Sequence, residues 1–271
     1  VDAYGLVITT RVVIDRKMID KSKTLCWIGR LGSGMELVDE VYAAEKGIAC
    51  ISTPEGNRNA VGEHTLGLIL SLLKNISKSH HEIKNGQWLR AENTGEELSG
   101  KTIGIIGYGN TGSAFGKLLS SFDVKVMAYD KYKSGFGNDR IKEVTIKDIF
   151  SHADIVSMHV PLTTETRHMA DEHLFNSFTK PVYYISTCRG GVTSTEALMK
   201  AIKEKKVIGA ALDVLENENL ATYNSRESAV LDYLLNHERI IITPHIAGYS
   251  HQAFDKMPRI LLEKLDQLER S

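Results

Sequence analysis

The stretch TIGIIGYGNTGSAFGKLL, Thr102–Leu119, decides how the chain is read. An apolar run, Thr102–Ile106, leads directly into Gly107, Gly109 and Gly112 at G-x-G-x-x-G spacing, and an amphipathic pattern follows. The glycine spacing alone recurs by chance; the order strand, glycines, helix gives it meaning. The first glycine permits a tight turn, the second lets backbone approach a pyrophosphate, and the third lets helix pack close to strand. The helix start then offers unpaired N–H groups and the positive end of its dipole. Asp130 ends the next apolar run, VMAYD. An acid there accepts hydrogen bonds from both ribose hydroxyls of NAD and repels the 2′-phosphate of NADP. Lys131 beside it carries the opposite charge. The competing reading is a glycine-rich turn that binds nothing.

The rest of the chain repeats the same alternation. Beyond Thr102–Ile106, strands are expected at Lys125–Tyr129, Ile155–His159, Val182–Ser186, Ile208–Ala211 and Ile240–Thr243, with helical patterns between them. Such a series of strands and crossovers describes a doubly wound parallel sheet. Upstream, LVITT, TLCWIGR and GIACIST read as strands, with helices over DRKMID and Glu36–Lys46. A long helix is expected over Ala60–Trp88, on apolar positions Leu66, Ile69, Leu70, Leu73 and Ile76, and a last one after Ser250. The fold class is α/β with two parallel-sheet domains.

Composition narrows the function. The 271 residues leave room for one large or two modest domains. Net charge is −1, so nothing draws the chain generally to nucleic acid or anionic membrane, and an anionic substrate needs a local site. Cys26, Cys50 and Cys188 are odd in number and far apart, which argues against a disulfide framework or a metal site and fits a reducing cytoplasm. No apolar run reaches the ~18 residues of a membrane span, and no signal peptide is visible. The chain opens at Val1 rather than Met, and a missing N-terminal piece is expected.

Further stretches complete a pattern: HVPLTTETRHM (His159–Met169), STCRGGV (Ser186–Val192), GAALDVLENE (Gly209–Glu218) and TPHIAGYS (Thr243–Ser250). With GRLGSGMELVD and STPEGNRNAVGEHTLGLIL, they resemble the D-isomer-specific 2-hydroxyacid dehydrogenase family over nearly the whole chain. The resemblance implies a Rossmann NAD-binding domain inserted into a flavodoxin-like substrate domain. The expected division is 1–73 for the first part of the substrate domain, 74–248 for the NAD-binding domain with its linker helix, and 249–271 for a helix returning to the substrate domain. It also implies a homodimer, with no membrane or nucleic-acid partner.

The chemistry requires a proton acceptor, a carboxylate anchor and nicotinamide at one carbon. His245 suits the first task, because histidine exchanges protons near neutral pH. Of ten histidines, it combines the end of the last strand with a candidate Arg and Glu. His64, His168 and the other seven read as pocket, packing or surface residues. Glu218 stands where the family carries the acid that orients its histidine; Glu216 is the competing acid. Arg189 offers a guanidinium fork for the carboxylate, and the backbone of Leu31, Gly32 and Ser33 offers further N–H donors. For the cofactor, the resemblance adds Tyr108, Asn110, Thr111, His159, Pro161, Thr166, Thr187, Cys188, Asp213 and His245 to Gly107, Gly109, Gly112 and Asp130. Asp213 is expected at the nicotinamide ring or its amide. Hinges are expected at Leu89–Ser99 and Pro244–Ser250.

The implied substrate is 3-phosphoglycerate, since the family's phosphoglycerate branch is the most similar. Alternatives are glyoxylate, hydroxypyruvate, D-lactate and 4-phosphoerythronate. That branch carries Arg-Ser near the first strand; here Thr9 and Thr10 stand there, with Arg11 one step on. A reading of another class is an NAD-sensing corepressor built on the same fold.

Overall fold

A seven-stranded parallel sheet forms around the glycine-rich stretch, and a separate three-stranded parallel sheet forms from the amino-terminal part. The structure is a computed structural model that describes residues 3–10 and 12–270. It divides into two compact units, Val1–Ala60 with Gly248–Ser271, and Val61–Ala247.

The chain begins β1 (Gly5–Ile8), α1 (Arg16–Asp20), β2 (Trp27–Arg30), α2 (Glu40–Glu45) and β3 (Ala49–Ser52). Then come α3 (Pro54–Leu73) and α4 (Ile76–Lys84). The large sheet is built from β4 (Thr102–Ile106), α5 (Asn110–Leu119), β5 (Lys125–Tyr129), β6 (Ile141–Glu143), α6 (Ile146–His152) and β7 (Ile155–Met158). It continues through α7 (Glu172–Ser177), β8 (Val182–Ser186), α8 (Thr195–Lys203), β9 (Val207–Leu212), α9 (Ser225–Leu235) and β10 (Ile240–Ile242). The last helix is α10 (His251–Glu269).

In the first unit, the sheet order is β1-β2-β3. Asp15 and Asp39 cap α1 and α2 by accepting from the N–H groups of Met18 and Tyr42. The core is Ile8, Ile14, Ile19, Leu25, Ile28, Val38, Ala43 and Ile48. Helix α10 fills the space that Gly29 leaves on β2 with Leu261. Lys264 ties α10 to Glu55 and to the carbonyl of Ser52.

In the second unit, the sheet order is β10-β9-β8-β7-β4-β5-β6, every pair parallel. The chain runs β4, β5, β6 in one direction and then returns to β7 on the other side of β4. This places the topological switch point between β4 and β7. Both sheet faces are covered, so the central strands are mostly apolar and all of β8 is buried.

Three expectations change here. The sheet has a seventh strand, β6, which is too short to show periodicity and buries only Ile141. The long helix is two helices, because Asn75 turns the backbone left-handed at φ 54. Asparagine is among the few non-glycine residues that tolerate that region. The first boundary falls at Ala60/Val61, inside α3, and not after Leu73. The reason is packing: Leu68, Ile69, Leu72 and Leu73 are buried with Ile103, Ile105 and Phe115 of the large sheet and its helix. Among the described residues, no helix is long and apolar enough to cross a membrane.

Candidate active site

The strand order sets the order of the candidate residues. All strands are parallel, so their carboxyl ends share one edge. Along it lie His245 beyond β10, Asp213 beyond β9, Thr187–Arg189 beyond β8, His159 beyond β7, Gly107 beyond β4 and Asp130 beyond β5. In open α/β sheets, this edge is where ligands bind.

The phosphate loop has the shape its glycines suggest. Gly107 has φ +95, and a Cβ there would meet the His159 carbonyl oxygen at 2.6 Å. A Cβ on Gly112 would lie 2.0 Å from the Gly107 oxygen, whereas one on Gly109 would meet nothing within 4 Å. The open position, Gly109, is the one where the sequence pattern expects a pyrophosphate to approach. Gly109 caps α5 without any side-chain acceptor, so the first N–H groups of the helix remain available to an anion. Asp130 also organises this loop: one carboxylate oxygen accepts from the Tyr108 N–H at 2.8 Å, and the other from Tyr132 and Lys133 at 2.9 and 3.1 Å. Lys131 pairs with Glu165. The Tyr108 ring stacks on Phe136 at 4.5 Å. Asn110 and Thr111 open the helix. Pro161 and Thr166 close a separate turn, the Thr166 hydroxyl donating to the Pro161 carbonyl at 2.6 Å. These residues fit a dinucleotide.

His159 is 7% exposed, its Nε2 2.8 Å from the Ser157 hydroxyl and its Nδ1 without a partner. Burial pulls its pKa down to about 3, so the ring is neutral and packs against Phe115.

Arg189 stands in extended backbone just before the turn Gly190–Val192. A Cβ on Gly190 would lie 1.7 Å from the Leu215 carbonyl oxygen, so only glycine fits where the β8 and β9 loops touch. That contact sets where Arg189 begins; its Nη1 donates to the Cys188 carbonyl at 2.7 Å. Cys188 is buried, and burial pushes its thiol pKa up, opposite to what a nucleophile needs. The Thr187 hydroxyl meets that of Thr65 on α3 at 3.0 Å.

His245 has left-handed backbone, φ 54. Its Nδ1 lies 2.9 Å from a carboxylate oxygen of Glu218. Glu216 is engaged elsewhere: it holds His168 Nε2 and the Thr195 N–H, both at 2.6 Å. Glu218, the acid that the family resemblance assigns, is therefore the one that meets His245, and Glu216 does not. With Nδ1 as the donor, His245 Nε2 keeps its lone pair, which is the form a general base requires.

Asp213, which the sequence gives a nicotinamide contact, has 0% exposure, and its carboxylate accepts from Thr243, Ile246 and Ala247. In the first unit, the Leu31 N–H donates to the Ile8 carbonyl and the Gly32 N–H to the Thr53 hydroxyl, both at 3.0 Å. Two of the three expected carboxylate donors are thus occupied within the fold. Ser33 is the third, and its hydroxyl donates to Asn57. Arg11 lies outside the described residues.

The sequence reading missed His64, Thr65 and Thr243. His64 Nε2 lies 3.1 Å from the Thr243 hydroxyl and 3.5 Å from Asp213, so this partly buried residue has partners that the sequence pattern did not show. No local signal marks a pair so distant in the chain; only the position of Thr243 beside the Pro-His pair hinted at it.

Known proteins share this sequence pattern and fold. Residues 66–247 match the family described as D-isomer specific 2-hydroxyacid dehydrogenase, NAD binding domain. A glyoxylate reductase of Thermofilum pendens is 37% identical over 97% of this chain and 77% of its own. A D-3-phosphoglycerate dehydrogenase of Archaeoglobus fulgidus is 32% identical over 96% of this chain and 48% of its own. The crystal structure of D-lactate dehydrogenase from Aquifex aeolicus, complexed with NAD and lactic acid, superposes with TM-score 0.87 at 27% identity. It covers 99% of this chain and 83% of that one. The phosphate loop, the shared carboxyl edge and these matches lead to one conclusion: the chain belongs to the D-isomer-specific 2-hydroxyacid dehydrogenases, and it is an NAD-dependent oxidoreductase.

Proposed function

We propose that His245, Glu218 and Arg189 carry the interconversion of a D-2-hydroxyacid and its 2-ketoacid. The observation that carries this reading is the 2.9 Å contact of His245 Nδ1 with Glu218. NAD, when bound, would supply the hydride acceptor, and Gly107–Gly112 and Asp130 would hold it. His245 Nε2 takes the hydroxyl proton as the carbonyl forms, and Glu218 steadies the resulting imidazolium across Nδ1. Arg189 binds the substrate carboxylate and polarises the 2-oxygen. In the reducing direction the same proton returns from His245.

Our first substrate reading is a small unphosphorylated ketoacid such as glyoxylate. It is favoured by the glyoxylate reductase that matches over most of its own length, and by Thr9 and Thr10 standing where phosphoglycerate enzymes carry Arg-Ser. The second is 3-phosphoglycerate, with a place in serine biosynthesis, favoured by the motif resemblance and by the phosphoglycerate dehydrogenase relative. NADH oxidation against glyoxylate, hydroxypyruvate, pyruvate, 2-oxoglutarate and 3-phosphohydroxypyruvate separates the two. Selective turnover of the phosphorylated acid removes the first reading, and preference for an unphosphorylated acid removes the second. Turnover of none of them counts against the hydroxyacid reading itself.

We also propose a homodimer in a reducing compartment such as the cytoplasm. Exposed Ile76, Ile83, Trp88 and Leu89 on and after α4 support the dimer, and the free Cys26, Cys50 and Cys188 support the compartment.

A further inference from the structure

The turn Thr243–Ala247 presents His245, and Asp213 holds it at four points. The Asp213 carbonyl accepts from the His245 N–H at 2.8 Å. One carboxylate oxygen accepts from the Thr243 hydroxyl at 2.5 Å and the Ile246 N–H at 3.0 Å; the other accepts from the Ala247 N–H at 2.8 Å. His245 needs this restraint, because non-glycine residues rarely hold a left-handed backbone without it.

His64 on α3 also reaches this knot. Its Nε2 lies 3.1 Å from Thr243 Oγ1 and 3.5 Å from Asp213 Oδ1. The Thr243 hydroxyl spends its only hydrogen on Asp213, so toward His64 its oxygen can only accept. Nε2 of His64 therefore carries a hydrogen. A continuous chain of donors runs from the His64 imidazole through the Thr243 hydroxyl to a carboxylate with no exposure to water. The chain is partly buried, so removing the outer donor leaves the Thr243 oxygen with an unmet acceptor beside the Asp213 carboxylate.

We propose that His64 is a positioning residue for His245: its Nε2–H, donated to Thr243 and facing Asp213, fixes the turn that presents the catalytic imidazole. The inference rests on His245 as the proton acceptor. A base displaced by about 1 Å loses about 100-fold in rate, so the role is read in turnover and not in cofactor affinity. Glutamine can bring an amide N–H to the Nε2 position, whereas asparagine is too short to reach it.

The test compares His64→Leu, His64→Gln, His64→Asn and His245→Ala in the full chain. Each is assayed for kcat and KM in NADH oxidation with glyoxylate (or with 3-phosphohydroxypyruvate, if the panel selects it), NADH affinity by fluorescence titration, and Tm. We expect His64→Leu and His64→Asn to lower kcat by about 10- to 100-fold, with NADH affinity within about threefold of the parent. His64→Gln should recover most of the rate. Parental kcat in His64→Leu, asparagine matching glutamine, or a loss confined to NADH affinity overturns the proposal. If His64→Leu does not fold, the Gln and Asn pair still decides. An inactive His245→Ala beside a fully active His64→Leu removes this inference alone; an active His245→Ala removes the proton-acceptor assignment and this inference with it.

Discussion

At the scale of single residues, two histidines at the same sheet edge have different surroundings. His245 is partly exposed and meets the Glu218 carboxylate across Nδ1. His159 is buried without any charged partner, and desolvation pulls its pKa from the ordinary 6.5 to about 3. Replacing His245 by Ala should lower kcat by about 10²- to 10⁴-fold while NADH affinity, read by fluorescence, stays close to the parent's. A parallel loss of NADH binding would count against the assignment. His159 should show in stability instead. The unfolded chain binds a proton at His159 below pH 6.5, and the folded chain does not until about pH 3. Its contribution is therefore complete above pH 6.5 and lost as pH falls, by about 1 kcal/mol between pH 7 and 5.5. Urea unfolding at these two pH values should show a smaller drop in His159→Gln than in the parent; equal drops would refute the assignment. His245 was legible as a candidate because Pro244 and the small residues after it are linear features and the family resemblance supplies Arg189 and Glu218 beside it. The contacts of His64 and Asp213 were not legible, since their partners lie far away in the chain.

At the scale of elements, the junction of β4 and α5 carries the tightest local constraints of the candidate cofactor site. A single turn must reverse the chain, leave backbone N–H groups free and allow close packing beneath, and only glycine satisfies all three demands at Gly107. Gly107→Ala would put a methyl group 2.6 Å from the His159 carbonyl oxygen at φ +95. We expect NADH affinity to fall at least about tenfold and stability to fall by roughly 1–3 kcal/mol, read by fluorescence titration and thermal melting. Parental affinity in this variant would show that the loop is not the phosphate site. Element type was legible wherever burial on both faces wrote a mostly apolar run, as in β7 and β8. Boundaries were less so. The break at Asn75 depends on one residue's backbone angle, and hydrophobic periodicity carries no record of it.

At the scale of the whole molecule, the exposed apolar residues Ile76, Ile83, Trp88 and Leu89 set an expectation for assembly. Sedimentation should give the mass of a dimer for the parent and a shift toward the monomer for Trp88→Glu; a monomeric parent would remove the homodimer reading. The class of the fold was already written in the linear text. Alternating apolar runs and amphipathic stretches have no other way to bury their faces than a helix-covered parallel sheet, and the glycine spacing makes local demands that do not depend on distant contacts. What waited for three dimensions was everything set by neighbours far apart in the chain. The strand order brought Gly107, Arg189 and His245 to one edge. The close approach of Gly190 to Leu215 set the start of Arg189. The engagement of Glu216 with His168 and Thr195, away from His245, followed from which loop each acid could reach. These depend on packing geometry and hydrogen-bond reach, and neither quantity is a property of any short stretch of sequence.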